Sequence, residues 1–164
     1  MVYIIDGNNL AGEIGLLDQD NFSEKLLKKL SGFTGSKKCD FYFVFDSAQA
    51  QGDKYWQAEN VLVIRAPRDS YYKDADDKIL EIVEEILGRE EVTLVSSDRE
   101  LKEKASKISR EKKAEKKLKI ENSSAFAFRV LGDRETNINE VDLSDQEVQD
   151  INKGLLEKFR RNKN

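Results

Sequence analysis

Short apolar runs alternate with segments of helical spacing, and this alternation is the feature that most limits how the chain can fold. The runs cover residues 2–5, 41–45, 61–64, 92–95 and, less clearly, 118–120. Continuous apolar residues are typical of strands buried on both faces of a parallel sheet. Strands that alternate with helices form βαβ units with right-handed crossovers. We therefore predict an α/β fold built on a parallel sheet.

The segments between the runs are predicted as helices, turns and loops. Helices are predicted where apolar residues recur at helical spacing or a charged run follows a cap, over residues 22–32, 75–88, 98–108 and 123–128. Residues 6–9 are predicted as a turn. The polar segment 47–60 contains a glycine and is predicted as a long loop that carries Tyr55 and Trp56.

The length of 164 residues suits one domain with a core of its own and is too short for two of ordinary size. We assign residues 1–130 to this domain. Residues 131–164 are predicted as a polar connector and an amphipathic helix, packed on the same domain. No apolar stretch approaches the roughly 20 residues of a membrane span. Because strand residues begin at the amino terminus, we expect no secretory signal and a cytoplasmic protein.

The amino-acid composition excludes several kinds of catalytic site. Cys39 is the only cysteine, so an internal disulfide and a cysteine zinc cluster are excluded. The chain contains no histidine, which excludes serine-histidine triads and histidine-ligated zinc. Hydrolysis by this chain must therefore depend on carboxylates, lysine, tyrosine or a metal ion.

Four aspartates stand where predicted strands end or a predicted helix begins. Asp6, Asp46 and Asp98 follow three of the apolar runs, and Asp76 lies in the first turn of the helix that starts at Ala75. In an open parallel sheet, functional groups collect outside the carboxyl ends of the strands. Carboxylates that converge there repel one another unless a hard divalent cation holds them. We therefore predict a Mg²⁺ or Mn²⁺ site that acts on phosphodiesters.

Each of these aspartates also has an ordinary structural interpretation. The turn at residues 6–9 is compatible with Asn9 as a helix cap, and acids in a first helical turn interact favourably with free amides and with the helix dipole. Four such residues at successive strand ends and a helix start favour the functional interpretation. Within it, Gly7 would let the backbone approach a phosphate or metal closely. Asn8 and Ser97 would orient water or ligands.

The positive charge of the chain is concentrated in one segment. Residues 99–119 contain ten basic and four acidic residues, an excess of six positive charges, whereas the whole chain has a net charge of −4. Such a run is often only a solvated helical face. Here it directly follows Asp98, which favours binding of a polyanionic backbone. The candidate RNA-binding cations are Arg99, Lys102, Lys112 and Lys113.

Aromatic side chains are expected in loops near the same edge of the sheet. They are Tyr55, Trp56, Tyr71 and Tyr72. Such side chains either stack on unpaired bases or anchor their own loops. Trp56 and Tyr72 are the candidates for contact with RNA.

The chain resembles the NYN branch of the PIN-like ribonucleases, and within it the bacterial YacP-like proteins. The resemblance is carried by residues 3–9, 43–46, 74–79 and 92–101, with a smaller match at 124–126. The order and spacing of these pieces are more specific than any one of them. The resemblance implies a PIN-like, three-layer α/β/α fold with a central, mainly parallel sheet and a C-terminal helical extension.

The resemblance further implies a metal-dependent endoribonuclease that hydrolyses phosphodiester bonds of single-stranded RNA. Asp6, Asp76 and Asp98 would be the metal ligands, with Asp46 near them and Mg²⁺ or Mn²⁺ as the cofactor. The ribosome or the RNA-decay machinery is suggested as a partner. Two alternatives stay open: a non-catalytic RNA-binding or RNA-decay adaptor module, and a flap-cutting DNA nuclease, for whose duplex-binding helices the chain has little room.

Overall fold

The structure, a computed structural model, describes residues 1–47 and 50–132. The strands of this part are β1 (Val2–Asp6), β2 (Asp40–Asp46), β3 (Asp53–Ala58), β4 (Val61–Ala66), β5 (Val92–Val95) and β6 (Leu118–Glu121). Its helices are α1 (Gly7–Glu13), α2 (Phe22–Gly35), α3 (Ala75–Leu87), α4 (Arg99–Glu111) and α5 (Ser123–Leu131), with a 3-10 turn at Glu115–Lys117. The connector and helix predicted beyond residue 132 lie outside the described residues. None of the described helices has the length and apolar character needed to cross a membrane.

The strands form one sheet in the order β3-β4-β2-β1-β5-β6. All neighbouring pairs are parallel except β3 with β4, which is antiparallel. β1 lies between β2 and β5, so that Asp6 is in register with Val44 on one side, and Ile5 is in register with Val95 on the other. The carboxyl ends of β1, β2 and β5 therefore meet at one edge.

Helices cover both faces of the sheet and give two separate cores. On one face, α3 and α4 pack with Ile79, Val83 and Leu101 against the sheet residues Ile4 and Leu94. The other core combines α1, α2 and α5 with the aromatic side chains of β2, chiefly Phe41, Phe43 and Phe45. Strand residues are buried on both faces, which explains why their sequences are continuously apolar. The three-layer α/β/α fold with a mainly parallel sheet is thus confirmed.

Two local predictions were wrong. The segment predicted as a loop over residues 47–60 contains β3, whose six residues are all exposed and which therefore carries no apolar pattern. It is a strand because it pairs with β4. Residues 6–9 were predicted as a turn, but residues 7–9 begin α1. Asp6 rather than Asn9 caps this helix, by accepting a hydrogen bond from the Asn9 amide at 3.0 Å.

Candidate active site

The four aspartates lie around one open depression of about 700 Å³ at the carboxyl edge of the sheet. β1 contributes Asp6, β2 contributes Asp46, the first turn of α3 contributes Asp76, and Asp98 precedes α4. Asn8, from the start of α1, also lines the depression. The structure therefore brings together all five residues that were predicted as catalytic.

Asp6 is the most deeply placed of these acids, with 6% of its surface exposed. Its Oδ1 accepts the hydrogen bond that caps α1, and its Oδ2 accepts a hydrogen bond of 2.9 Å from the Ser96 hydroxyl. Burial raises the pKa of Asp6 above its ordinary value. The two hydrogen bonds oppose this shift, and the charges of Asp46 and Asp98 add to it. The carboxylate is thus fixed in position and sensitive to its acidic neighbours.

Asp98 is joined to Asp6 through one hydroxyl group. The backbone N–H of Asp98 donates to Ser96 Oγ at 3.1 Å, and the same hydroxyl donates to Asp6. The Asp98 carboxylate caps α4 by accepting the Leu101 amide at 2.8 Å through Oδ1. Both Asp6 and Asp98 therefore hold the first turn of a helix in addition to lining the depression.

Asp46 positions the helix that carries Asp76. Its Oδ1 accepts a hydrogen bond of 2.8 Å from the backbone N–H of Ala75, the first residue of α3. Its own N–H donates to Asn8 Oδ1 at 3.0 Å. Asp74 caps the same helix by accepting from the amides of Asp76 and Asp77. The end of β2, the start of α1 and the start of α3 are thus connected by direct hydrogen bonds.

Asp76 is half-buried, and its carboxylate makes no hydrogen bond with the described residues. Burial raises the pKa of Asp76 to about 7, and the charges of Asp6, Asp74, Asp98 and Asp46 contribute to the shift. This is the pattern expected of a partly buried carboxylate that shares a site with other acids.

The donor set of the depression fits a hard divalent cation. It consists of carboxylate and amide oxygens, which are the ligands that Mg²⁺ and Mn²⁺ prefer. Among the described residues, however, no three acidic side chains stand close enough together to form a ready-made metal cluster. An ion held here would therefore be bound partly through water, which Mg²⁺ retains readily, or after small rotations of the side chains.

Asn9 also lines the depression, joins three elements and was not among the predicted site residues. Its Oδ1 accepts a hydrogen bond from the Ser97 amide at 2.8 Å and another from the Ser123 hydroxyl at 2.7 Å. Ser97 Oγ in turn accepts from the Ser123 amide at 3.2 Å. These bonds connect the starts of α1 and α5 with the segment after β5. In the sequence, the only sign of this role was the amide side chain of Asn9 in the turn directly after β1.

Gly7 packs closely against the aromatic core. A Cβ atom at this position would overlap the ring of Phe45, which is fully buried in the core beneath α1. The missing side chain therefore lets the first turn of α1 lie directly on β2. The approach of a phosphate or metal to Gly7 stays a prediction.

The predicted RNA-binding cations divide into two groups. Arg99 and Lys102 line a groove next to the depression, although Arg99 is paired with Glu103 at 2.8 Å and Lys102 donates to Asn122 Oδ1 at 2.9 Å. The other two follow the far end of α4: Lys112 is 3.5 Å from Glu84, and Lys113 has a positive φ of 53°. The structure thus spreads these residues along α4 rather than gathering them at the aspartates.

The two aromatic residues predicted to contact RNA, Trp56 and Tyr72, lie in different parts of the fold. Trp56 lies in β3, not in a loop, where it pairs with Leu62 and its ring meets that of Tyr42 edge-on at 6.4 Å between centroids. The Tyr72 hydroxyl is hydrogen-bonded to Glu81, and the Lys78 ammonium lies 4.9 Å from the centre of the Tyr72 ring. Tyr71, by contrast, is 85% exposed.

A mainly parallel sheet covered by helices on both faces, with acidic side chains at its carboxyl edge, agrees with a PIN-like domain. The chain belongs to the family of YacP-like NYN domains, whose family model matches residues 3–161. This match confirms the resemblance drawn from residues 3–9, 43–46, 74–79 and 92–101. No curated protein and no solved structure matches the chain significantly.

Membership in this family implies a PIN-like nuclease or RNA-related function, since NYN domains are typically nucleases. PIN-like NYN nucleases generally use divalent metal ions. The depression around Asp6, Asp46, Asp76 and Asp98 has carboxylate oxygens that suit a divalent metal ion, and it therefore agrees with the chemistry of such nucleases.

Proposed function

We propose that the chain is a metal-dependent endoribonuclease that hydrolyses single-stranded RNA at the depression around the four aspartates. The observation that carries the proposal is the placement of Asp6, Asp46, Asp76 and Asp98 at one sheet edge in a chain of the NYN family. With Glu13 and Asp74, six acidic residues line the depression. Their charges produce a strongly negative potential, which repels a phosphodiester unless a cation intervenes.

Asp6, Asp76 and Asp98 are the proposed ligands of Mg²⁺ or Mn²⁺. A divalent ion bound there would activate water for attack and offset negative charge on the phosphoryl oxygens. Asp46 keeps α3, and therefore Asp76, beside the depression through its bond to Ala75. Asn8 is held by the Asp46 amide, and its NH₂ group can donate to water or to a phosphate oxygen. The Ser96 hydroxyl fixes the orientation of Asp6.

A second candidate function is a non-catalytic RNA-binding module. It is favoured by one observation: Asp6 and Asp98 both cap helices, which is a structural role that needs no metal. Such a module would bind RNA equally well with and without divalent ions. The ribosome and the RNA-decay machinery stay predictions for either candidate, since no described residue bears on them.

The test is cleavage of a labelled single-stranded RNA in Mn²⁺, Mg²⁺ or EDTA by the full chain. The wild type is compared with Asp76→Asn and with the control Glu85→Gln, which removes one charge from the exposed face of the same helix. We expect cutting that requires metal, a loss of about 100-fold or more in Asp76→Asn, and no loss in Glu85→Gln. RNA binding and thermal unfolding should show that both variants are folded.

Other results would support other assignments. Full activity of Asp76→Asn would remove this residue from the mechanism. Tight binding that EDTA does not weaken, without any product, would identify the non-catalytic module. Cutting of a flap DNA in preference to the RNA would identify the DNA nuclease.

A further inference from the structure

A groove of about 630 Å³ lies between α4 and β6, next to the aspartates. We call it the α4–β6 groove. Its lining includes Arg99, Lys102, Ser109, Arg110, Leu118 and Ile120. Cations and apolar side chains are thus combined in one concave surface, which is distinct from the acidic depression and shares no lining residue with it.

The direction of the groove follows from the topology. α4 begins at Arg99, directly after Asp98 at the carboxyl edge, and runs back towards the amino ends of the strands, where Leu118 of β6 is in register with Val92. A helix of 13 residues is about 20 Å long. The groove therefore starts beside the aspartates and leads away from them along the outer strand of the sheet.

The cations of the groove differ in how far they are neutralised. Three lysines outside the groove lining are paired: Lys104 with Glu100, Lys107 with Glu111, and Lys112 with Glu84 of α3. Within the groove, Arg99 is paired with Glu103. Arg110 makes no ion pair with the described residues, and Lys102 is hydrogen-bonded only to the neutral amide of Asn122. The lining has three basic residues and two acidic ones, Glu103 and Glu115, so its net charge is positive.

The floor of the groove is apolar and accessible. Ile120 is 38% exposed, and Leu118, two residues earlier on the same face of β6, is half-buried. The Ser109 hydroxyl beneath the groove has no hydrogen-bond partner among the described residues, although Ser109 is 2% exposed. A polar group inserted between α4 and β6 would satisfy this hydroxyl.

We propose that the α4–β6 groove holds the RNA strand on one side of the cleavage site. Phosphates lie on Lys102 and Arg110, and a base or ribose lies on Leu118 and Ile120. A duplex would present its phosphates and leave its bases stacked inside, whereas an unpaired strand offers both groups. The apolar floor between the cations therefore selects a single strand. The inference rests on the proposed function for the identity of the ligand.

The test measures binding of a labelled single-stranded RNA to the full chain in EDTA, over a series of salt concentrations. Arg110→Gln removes one cation, and Lys38→Gln is the matched control on the exposed segment before β2. Loss of one phosphate contact lowers the slope of log K against log salt by about 0.7 for a single strand. Ile120→Thr keeps a β-branched residue in β6 and should lower the affinity about fivefold with an unchanged slope.

The same variants are then compared in cleavage with Mn²⁺. If the groove holds substrate, Arg110→Gln and Ile120→Thr raise KM and leave kcat close to that of the wild type. The proposed role of the groove would be overturned if both variants unfolded normally and matched the Lys38→Gln control in binding and KM. This holds even if the wild type cuts RNA. Weaker binding by the two variants of a chain that never cuts would support the groove and contradict the proposed nuclease.

Discussion

Tyr71 and Tyr72 are adjacent in the loop before α3, yet their surroundings differ. The amides of both residues donate to Asp69 Oδ1, at 2.7 and 3.0 Å, which fixes the loop. Tyr72 then attaches the loop to α3 through Glu81, with the Lys78 ammonium over its ring. Tyr71 projects into solvent from the same loop. A ring that is free on both faces is better suited to stack on a base than one that is already covered.

We therefore predict that Tyr71, rather than the sequence candidate Tyr72, contacts RNA. Tyr71→Ala should weaken single-stranded RNA binding by about 1–3 kcal/mol, the usual value of one stacked base. Tyr72→Phe should leave RNA affinity unchanged and lower the free energy of unfolding by about 1 kcal/mol, because the bond to Glu81 is lost. Fluorescence anisotropy and urea unfolding measure the two effects. The reverse assignment would follow if Tyr72→Ala weakened binding and Tyr71→Ala did not.

At the scale of elements, the sequence located those whose signal is local. β1, β2, β4 and β5 were predicted within two residues at each end because both of their faces are buried. β3 had no such signal, since its strand conformation depends on pairing with β4. α1 was not predicted because the helix is short and Gly7 and Gly12 interrupt its apolar pattern.

The candidate site divides in the same way. Its carboxylates were predictable because each one ends a strand or begins a helix. The bonds from Ala75 to Asp46 and from Ser123 to Asn9 join residues far apart in sequence. These contacts depend on the strand order, which the pattern of apolar residues does not specify. The position of Trp56 was missed for the same reason, because β3 had been predicted as a loop.

The packing of α1 on β2 gives a prediction at this scale. Gly7→Ala would place a methyl group 2.3 Å from Cε1 of the Phe45 ring, so either α1 or the ring must move. We expect a loss of about 1–3 kcal/mol in the free energy of unfolding, as for other overpacked cores. Gly32→Ala, in α2, is the control because nothing lies near its added methyl group. Urea unfolding distinguishes them, and equal stability would show that α1 adapts without strain.

For the whole molecule, the acidic edge makes stability depend on pH. The pKa of Asp76 is about 7 in the folded chain and 3.8 without the fold, and that of Asp6 is also raised. Between these two values the folded chain binds protons that the unfolded chain has released. Stability should therefore fall as pH rises from about 4 to 7 and then level off. Asp76→Asn removes this part of the dependence.

In EDTA, Asp76→Asn should consequently be more stable than the wild type at about pH 8, and this advantage should disappear towards pH 4. Mn²⁺ should stabilise the wild type at pH 8, by about 2.7 kcal/mol at 100 times its Kd, because it replaces the missing positive charge. The double variant Asp6→Asn/Asp76→Asn should not respond to Mn²⁺. Urea unfolding at several pH values checks both effects. An equal response of the two proteins to Mn²⁺ would place the ion elsewhere.

The strand order has a consequence for synthesis of the chain. β1 is made first and stands near the centre of the sheet, but its neighbour β5 is made only after β2, β3, β4 and α3. A growing chain folds from its amino terminus. Asp6 and Asp98 can therefore come together only after most of the domain has been translated. If the chain cuts RNA as proposed, the unfinished polypeptide has no assembled aspartate edge. On this proposal a nascent chain cannot cut the messenger that encodes it until β5 and the start of α4 have been made.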